Sequence, residues 1–192
     1  MISIVYDVGL YRRLLARTVK KGDVVLEIGP HTGLSTLGYI KKASLAVALD
    51  KSPEAKECFK RIVKENKNLV FLQDDVRGFE AVKKVLRHTK RCDVLALDLG
   101  GGRYSDTVYK VWASWSGVFK PKHSVIRNRG LAEFLQRARI KDSSIRQCFT
   151  DDGWLSAWGR ATPYELRKQL DELKYYTDIN RSIKDDRKAE GE

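Results

Sequence analysis

The sequence predicts an α/β fold in which helices cover both faces of a parallel sheet. Short apolar runs recur at intervals of about 22 residues, they show no polar alternation, and amphipathic segments separate them. Strands without polar alternation are typically buried on both faces. Strands that alternate with helices at this spacing form right-handed βαβ units, and these units build a parallel sheet.

Five parallel strands are predicted, followed by an antiparallel hairpin at the C-terminal end of the sheet. The parallel strands are expected at residues 24–28, 45–49, 69–72, 93–97 and 124–127. The hairpin is expected from residues 144–149 and 154–161, because Asp152-Gly153 between them has the residue types of a tight turn.

Helices are predicted between the strands from apolar spacing and start signals. Ser52-Pro53-Glu54 offers an N-cap, a proline at the first helical position and an acid in the first turn. Thr162-Pro163-Tyr164-Glu165 is a capping box that opens a last helix reaching about residue 176. The other predicted helices are one before the first strand and those at 34–42, 79–89, 105–119 and 131–140.

Length and composition favour one domain, residues 1–176, followed by a charged and flexible tail, residues 177–192. The sequence has no apolar run of roughly 20 residues that would span a bilayer. The N-terminal residues do not have the pattern of a secretion signal, so we expect a cytoplasmic protein. The cysteines and histidines follow no metal-ligand spacing, and no metal site is predicted.

The charge of the chain favours a polyanionic partner. The formal net charge is +12, and residues 120–146 contain eight basic and two acidic side chains. A local positive field attracts polyanions and accelerates their encounter. We therefore expect RNA as a partner. The sequence does not indicate an oligomeric state.

A ligand site is predicted at the carboxyl ends of the strands. The first predicted strand leads into Glu27-Ile28-Gly29-Pro30-His31-Thr32-Gly33, and glycines there permit a sharp turn and close ligand approach. Asp50, Asp75 and Asp98 follow the ends of the next three strands. Carboxyl ends of parallel strands share one edge of the sheet, so these acids are expected to face one crevice.

These residues resemble the class I, Rossmann-like S-adenosylmethionine (SAM)-dependent methyltransferases, over residues 6–161. The resemblance implies SAM as cofactor and S-adenosylhomocysteine as product. It implies that the first-strand acid and glycines hold the methionine part, that Asp50 holds the ribose, and that Asp75 contacts adenine beside the Val76 backbone. The family usually has a second glycine where this chain has His31. The implied cofactor-binding set is Glu27, Gly29, His31, Gly33, Asp50, Asp75 and Val76.

The substrate is expected beside the fourth of these strands, where the family usually places it. Asp98 and Arg127 are the candidate catalytic residues, since a carboxylate can orient or deprotonate an acceptor. Gly100 permits close backbone approach, and Arg103 and Arg129 are suited to binding a phosphate or carboxylate.

Three functions remain open from the sequence. The first is a SAM-dependent methyltransferase that acts on RNA. The second is a small-molecule O- or N-methyltransferase with an anionic substrate. The third is a non-catalytic RNA-binding module on a methyltransferase fold. A nicotinamide-dependent enzyme is disfavoured, because its glycine fingerprint is interrupted by His31 and Leu34.

Overall fold

Six strands and six helices form the part of the chain that the structure, a computed structural model, describes: residues 1–143 and 151–155. The strands are β1 (Ile2–Val5), β2 (Val24–Ile28), β3 (Leu45–Asp50), β4 (Leu69–Gln73), β5 (Val94–Leu97) and β6 (His123–Arg127). The helices are α1 (Val8–Thr18), α2 (Leu34–Tyr39), α3 (Pro53–Glu65), α4 (Phe79–Leu86), α5 (Ser105–Phe119) and α6 (Arg129–Arg137). A short 3-10 turn, Gly100–Gly102, precedes α5.

All six strands belong to one parallel sheet with the order β1-β6-β5-β2-β3-β4. The chain moves outward from β2 to β3 and β4, and then returns to the other side of β2 to form β5 and β6. The strand order therefore reverses between β2 and β5, which is where open α/β sheets usually bind ligands.

Each face of the sheet packs against its own helices. On β2, Leu26 and Ile28 belong to the apolar cluster shared with α4 and α5, whereas Val25 belongs to the cluster shared with α1, α2 and α3. This division follows from the two-residue period of a strand. The parallel α/β architecture with helices on both faces, predicted from the apolar runs, is confirmed.

Side-chain caps begin helices α3 and α6. The Ser52 hydroxyl accepts a hydrogen bond from the Ala55 N–H at 3.1 Å, with Pro53 at the first position of α3, as predicted. The Asn128 side chain, fully buried, accepts from the Leu131 N–H at 2.9 Å and begins α6. This cap places α6 directly after β6.

The expected number of parallel strands is wrong, because the sheet has a sixth strand, β1, at its edge. Ile2 pairs with Ser124 and Val5 with Arg127, so the strand is stabilised by a partner more than 100 residues away in the chain. Four residues next to the N-terminus lack the flanking turns that marked the other strands. The predicted N-terminal helix is present as α1.

The expected C-terminal antiparallel hairpin does not extend this sheet. The edge of β6 that faces away from β5 is occupied by β1, and residues 151–155 form no strand. The rest of the predicted hairpin, the last helix and the tail lie outside the described residues. No strand follows α6 within residues 1–143 and 151–155, and residues 144–149, to which this helix was predicted to cross over, lie outside the described residues.

Several helix boundaries also differ from the prediction. The helix expected at 34–42 ends at Tyr39, the helix expected at 79–89 ends at Leu86, and the helix expected at 131–140 is Arg129–Arg137. Helix ends are decided by backbone capping, which apolar spacing does not encode. None of the helices in residues 1–143 and 151–155 has the length and apolar character of a membrane span.

Candidate functional site

The candidate site is a cleft at the carboxyl ends of β2, β3, β4 and β5. Its volume is about 420 Å³, within the range of roughly 300–1,000 Å³ that is usual for small-ligand pockets. Among the predicted site residues, the cleft is lined by Gly29, Asp50, Asp75, Val76, Asp98 and Gly100. The structure therefore brings together the residues that follow four neighbouring strands.

Gly29 lets two loops touch at the point where the strand order reverses. Its φ is +77°, and a Cβ atom at this position would lie 2.1 Å from the Asp98 carbonyl oxygen. No side chain fits at that distance. The turn after β2 therefore depends on glycine both for its left-handed backbone and for its contact with the end of β5.

His31 keeps the left-handed backbone conformation without being glycine. Its φ is 49°, and histidine is among the residue types enriched in this region. The imidazole is largely exposed and its Nε2 lies 3.6 Å from Glu54 Oε2, so it does not line the cleft. Gly33 also lies behind the cleft. Its φ is +79°, and a Cβ there would lie 2.5 Å from Ile62 Cδ1.

The Asp50 carboxylate is held in place by two backbone N–H groups. Oδ2 accepts from the His31 N–H at 3.1 Å, and Oδ1 accepts from the Ser52 N–H at 2.9 Å. Each carboxylate oxygen can accept more than one hydrogen bond, so both keep capacity for a ligand. Asp50 is therefore an oriented acceptor on the wall of the cleft.

Asp75 is paired with an arginine that the sequence analysis did not identify. Arg77 donates from Nε to Asp75 Oδ1 at 2.9 Å and from Nη2 to Oδ2, and both residues line the cleft. These hydrogen bonds hold the pKa of Asp75 at about 2. An adenine amino group at Asp75 would therefore share this carboxylate with Arg77.

The two predicted catalytic residues, Asp98 and Arg127, form an ion pair. Arg127 Nη1 donates to both Asp98 oxygens at 3.0 and 3.1 Å, and each side chain is less than one fifth exposed. Burial raises the pKa of Asp98 above its ordinary value, although the charge of Arg127 acts to lower it. Arg127 Nε also donates to the Tyr6 carbonyl oxygen at 2.9 Å, which fixes the guanidinium.

Glu27 is buried beneath the cleft and does not line it. Its Oε2 accepts from the Thr36 hydroxyl at 2.5 Å and from the Tyr39 hydroxyl at 2.7 Å. Burial raises the pKa of Glu27, and the hydrogen bonds from Ser35, Thr36 and Tyr39 act against this rise. Glu27 Oε1 and the Tyr11 hydroxyl are both buried without a hydrogen-bond partner among the described residues.

The turn after β5 places two exposed tyrosines near Asp98. Gly100, Gly101 and Gly102 all have positive φ, the Tyr104 ring packs on Gly100, and the Tyr6 ring packs on Gly102. Asn128 Nδ2 donates to the Arg103 carbonyl oxygen at 2.9 Å and anchors the end of the turn. The sequence analysis did not identify Tyr6, Tyr104 or Asn128, because their roles depend on contacts between distant segments.

Basic residues of segment 120–146 lie at both ends of β6. Lys122 precedes the strand and pairs with Asp93 at 2.7 Å, whereas Arg127 is the last residue of the strand and Arg129 begins α6. Arg129 is exposed, and its guanidinium lies 5.4 Å from the Tyr6 ring centroid. Lys51 and Arg77, which the sequence analysis missed, line the cleft itself.

No protein-family model matches the chain, and no curated protein is a significant match in sequence. Among solved structures, a dimethyladenosine transferase from Plasmodium falciparum superposes with a TM-score of 0.50 at 22% sequence identity, over 73% of this chain and 48% of that chain. This chain has the Rossmann-like methyltransferase fold. The resemblance seen in the sequence is thus confirmed at the level of the fold.

Two further solved structures match at lower TM-scores. One is an rRNA methylase from Streptococcus thermophilus, with a TM-score of 0.49 and 11% identity, over 69% of this chain and 80% of that one. The other is fibrillarin from Aeropyrum pernix with natively bound S-adenosyl-L-methionine, with a TM-score of 0.47 and 17% identity, over 58% of this chain and 48% of that one. The chain spans about half the length of the fibrillarin and of the dimethyladenosine transferase.

The close approach at Gly29 in this methyltransferase fold predicts a large effect of adding one methyl group. Gly29→Ala is expected to lower the free energy of unfolding well beyond the roughly 1–2 kcal/mol cost of a left-handed alanine, because its Cβ would clash with backbone. Gly22→Ala is the matched control, since Gly22 has φ +93° and open space at its Cβ position. Urea unfolding measures both variants, and equal losses would contradict the close-approach argument.

Burial of Glu27 predicts a pH-dependent stability difference between wild type and Glu27→Gln. A raised pKa means that the folded chain keeps a proton that the unfolded chain has lost, so the free energy of unfolding falls as pH rises from about 4.5. The variant lacks this fall and is expected to gain stability relative to wild type over the same interval.

Urea unfolding in steps from about pH 4.5 to about pH 8 measures that difference. Glu57→Gln removes an exposed carboxylate and controls for the loss of one negative charge. A difference between wild type and Glu27→Gln that stays constant with pH would contradict the assignment.

Proposed function

We propose that this chain is a SAM-dependent methyltransferase and that its substrate is RNA. The observation that carries the proposal is the cleft itself. Strand-end acids line it, and a glycine permits close backbone approach at the reversal of strand order. The chain spans only part of the length of several of its structural neighbours, so the activity of the whole protein is part of the proposal.

The residues of the cleft fit the cofactor. Asp50 offers an oriented carboxylate for the ribose hydroxyls, and Asp75 and Val76 lie where an adenine ring is expected. Glu27 lies outside the cleft lining but two residues before Gly29, and its Oε1 has no hydrogen-bond partner among the described residues, so we assign it to the amino group of the methionine part. When bound, SAM supplies a methyl group on a positively charged sulfur, which an acceptor with a lone pair can take.

We assign Asp98 as the base that removes the proton from the acceptor. A carboxylate whose pKa is raised is a stronger base than an ordinary aspartate once it is ionised. The Arg127 guanidinium holds both Asp98 oxygens and so fixes the carboxylate at the end of β5. Methyl transfer depends mainly on alignment, and this pairing gives the base one orientation.

RNA is favoured as the substrate because basic side chains lie among the acids of the cleft and next to it. Lys51 and Arg77 line the cleft. The exposed Arg103 and Arg129 lie beside Gly100–Gly102, the glycine turn that follows Asp98. Lysine and arginine side chains bind the phosphates of RNA along its backbone, and their charge accelerates association. The P. falciparum neighbour is named as a dimethyladenosine transferase, which is consistent with a nucleic-acid substrate for this fold.

The two alternatives differ from this proposal in measurable ways. A small-molecule methyltransferase transfers label from SAM without RNA and binds RNA weakly. A non-catalytic RNA-binding module binds RNA but transfers no label. Incubation of the chain with methyl-labelled SAM and total RNA tests the function, and incorporation of label into RNA that is lost in Asp98→Asn supports the proposal.

The ribose assignment predicts that Asp50→Ala weakens cofactor binding. Loss of hydrogen bonds to a charged group costs about 1.5–3 kcal/mol, or roughly a 10- to 150-fold higher Kd. Calorimetric titration with S-adenosylhomocysteine measures the change in variants whose unfolding transition shows that they are folded. Asp106→Ala, which removes an exposed acid that does not line the cleft, is the control. Unchanged affinity in Asp50→Ala would remove the ribose assignment.

The position of the basic residues predicts that RNA affinity depends on salt concentration and that only the residues at the cleft end of β6 contribute to this dependence. If three to five phosphates are contacted, the slope of log affinity against log salt is about −2 to −3.5 for single-stranded RNA. Arg129→Ala is expected to reduce the magnitude of this slope by about 0.7, the contribution of one phosphate contact. Lys122→Ala, at the opposite end of β6, is expected to leave it unchanged. Equal effects of the two variants would place the RNA elsewhere.

A further inference from the structure

Tyr104 occupies an unusual position at the mouth of the cleft. Its side chain lines the cleft and is 66% exposed. Its φ of 54° and ψ of 55° place a bulky residue in the left-handed region, and its side chain makes no capping hydrogen bond to α5. A large residue in this conformation is uncommon and needs surrounding structure to hold it there.

The glycine turn holds the Tyr104 ring in place. A Cβ at Gly100 would lie 3.1 Å from the ring, and Gly100, Gly101 and Gly102 all have positive φ. Because Gly100 has no side chain, the Tyr104 ring can pack directly on its backbone, two residues after Asp98. Packing with the core does not explain the Tyr104 ring, because this residue is largely exposed, unlike Trp112 and Trp115 of α5, which are almost fully buried.

The other end of the same turn carries a second aromatic ring beside a cation. Tyr6 is 48% exposed, packs on Gly102, and lies under the Arg129 guanidinium. Arg127 binds both the Tyr6 carbonyl oxygen and Asp98, so the backbone that carries this ring is tied to the candidate base. The glycine turn therefore presents aromatic surface and positive charge on the side of the cleft where Asp98 lies.

We propose that Tyr104 is the stacking surface for the acceptor base, an unpaired nucleobase of single-stranded RNA, and so determines substrate specificity. The inference rests on the proposed function and deepens it. An exposed aromatic face binds planar heterocycles regardless of sequence, while flanking arginines bind the phosphates on either side. A small anionic substrate without an aromatic ring would use the arginines but would have no need for an exposed ring at this position.

The test compares RNA that has bases with RNA that lacks them. Fluorescently labelled single-stranded RNA 12-mers of each single base, and an abasic strand of the same length, are titrated against wild type, Tyr104→Ala and Tyr104→Phe in the presence of S-adenosylhomocysteine. Tyr109→Ala is the control, because Tyr109 is an exposed tyrosine of the same helix outside the cleft. Unfolding midpoints establish that each variant is folded.

The expected result is a base-dependent loss. Tyr104→Ala is expected to bind at least one base-containing strand about 5- to 50-fold more weakly, since stacking on an aromatic side chain contributes affinity of that order. Binding of the abasic strand is expected to be unchanged. Tyr104→Phe keeps the ring and is expected to bind like wild type, as is Tyr109→Ala.

Other outcomes separate this inference from the proposed function. If wild type binds RNA but Tyr104→Ala binds every strand equally well, the stacking role is wrong and the RNA substrate stands. If Tyr104→Ala loses S-adenosylhomocysteine instead of base-dependent binding, the ring belongs to the cofactor pocket and the inference is wrong. If wild type binds no RNA while still binding S-adenosylhomocysteine, both the RNA substrate and the stacking role fail.

Discussion

The contact between Gly29 and the Asp98 carbonyl is the constraint on which the rest of the site depends. It brings the turn after β2 against the end of β5 at the reversal of strand order, at a distance that excludes any side chain. The cleft opens beside this contact, with Asp50 on one side and Asp98 on the other. Glu27, two residues before Gly29, is buried as a carboxyl group in β2, and burial of such a group costs free energy that its hydrogen bonds from Thr36 and Tyr39 offset.

A second constraint links the candidate base to the edge of the sheet. Arg127 ends β6, pairs with Asp98 and binds the carbonyl of Tyr6, just beyond β1. The edge strand thus does more than extend the sheet, since it positions the aromatic residue beside the glycine turn. Two buried ion-pair partners that are each less than one fifth exposed are costly to separate, and this favours a fixed base over a mobile one.

Features that depend on residues close together in the chain were predictable from the sequence, whereas features that depend on contacts between distant residues were not. Apolar runs and the Ser52-Pro53 start signal depend on local residues, so the parallel sheet, its helices and the strand-end acids were predictable. Strand β1 was not, because its pairing with β6 is long-range. The Asp98–Arg127 pair was predicted as two separate roles and found as one unit. The Asp75–Arg77 pair and the tyrosines at the glycine turn depend on backbone geometry that residue spacing does not encode.

All of these assignments require that the cofactor binds in the cleft between the ends of β2, β3, β4 and β5. We would first determine a crystal structure of the chain grown with S-adenosylhomocysteine. We expect the ligand to occupy this cleft, with its ribose hydroxyls on Asp50, its adenine beside Val76, and its sulfur facing Asp98. If S-adenosylhomocysteine binds elsewhere, or if the cleft remains unoccupied at millimolar ligand concentration, the cleft is not the cofactor site.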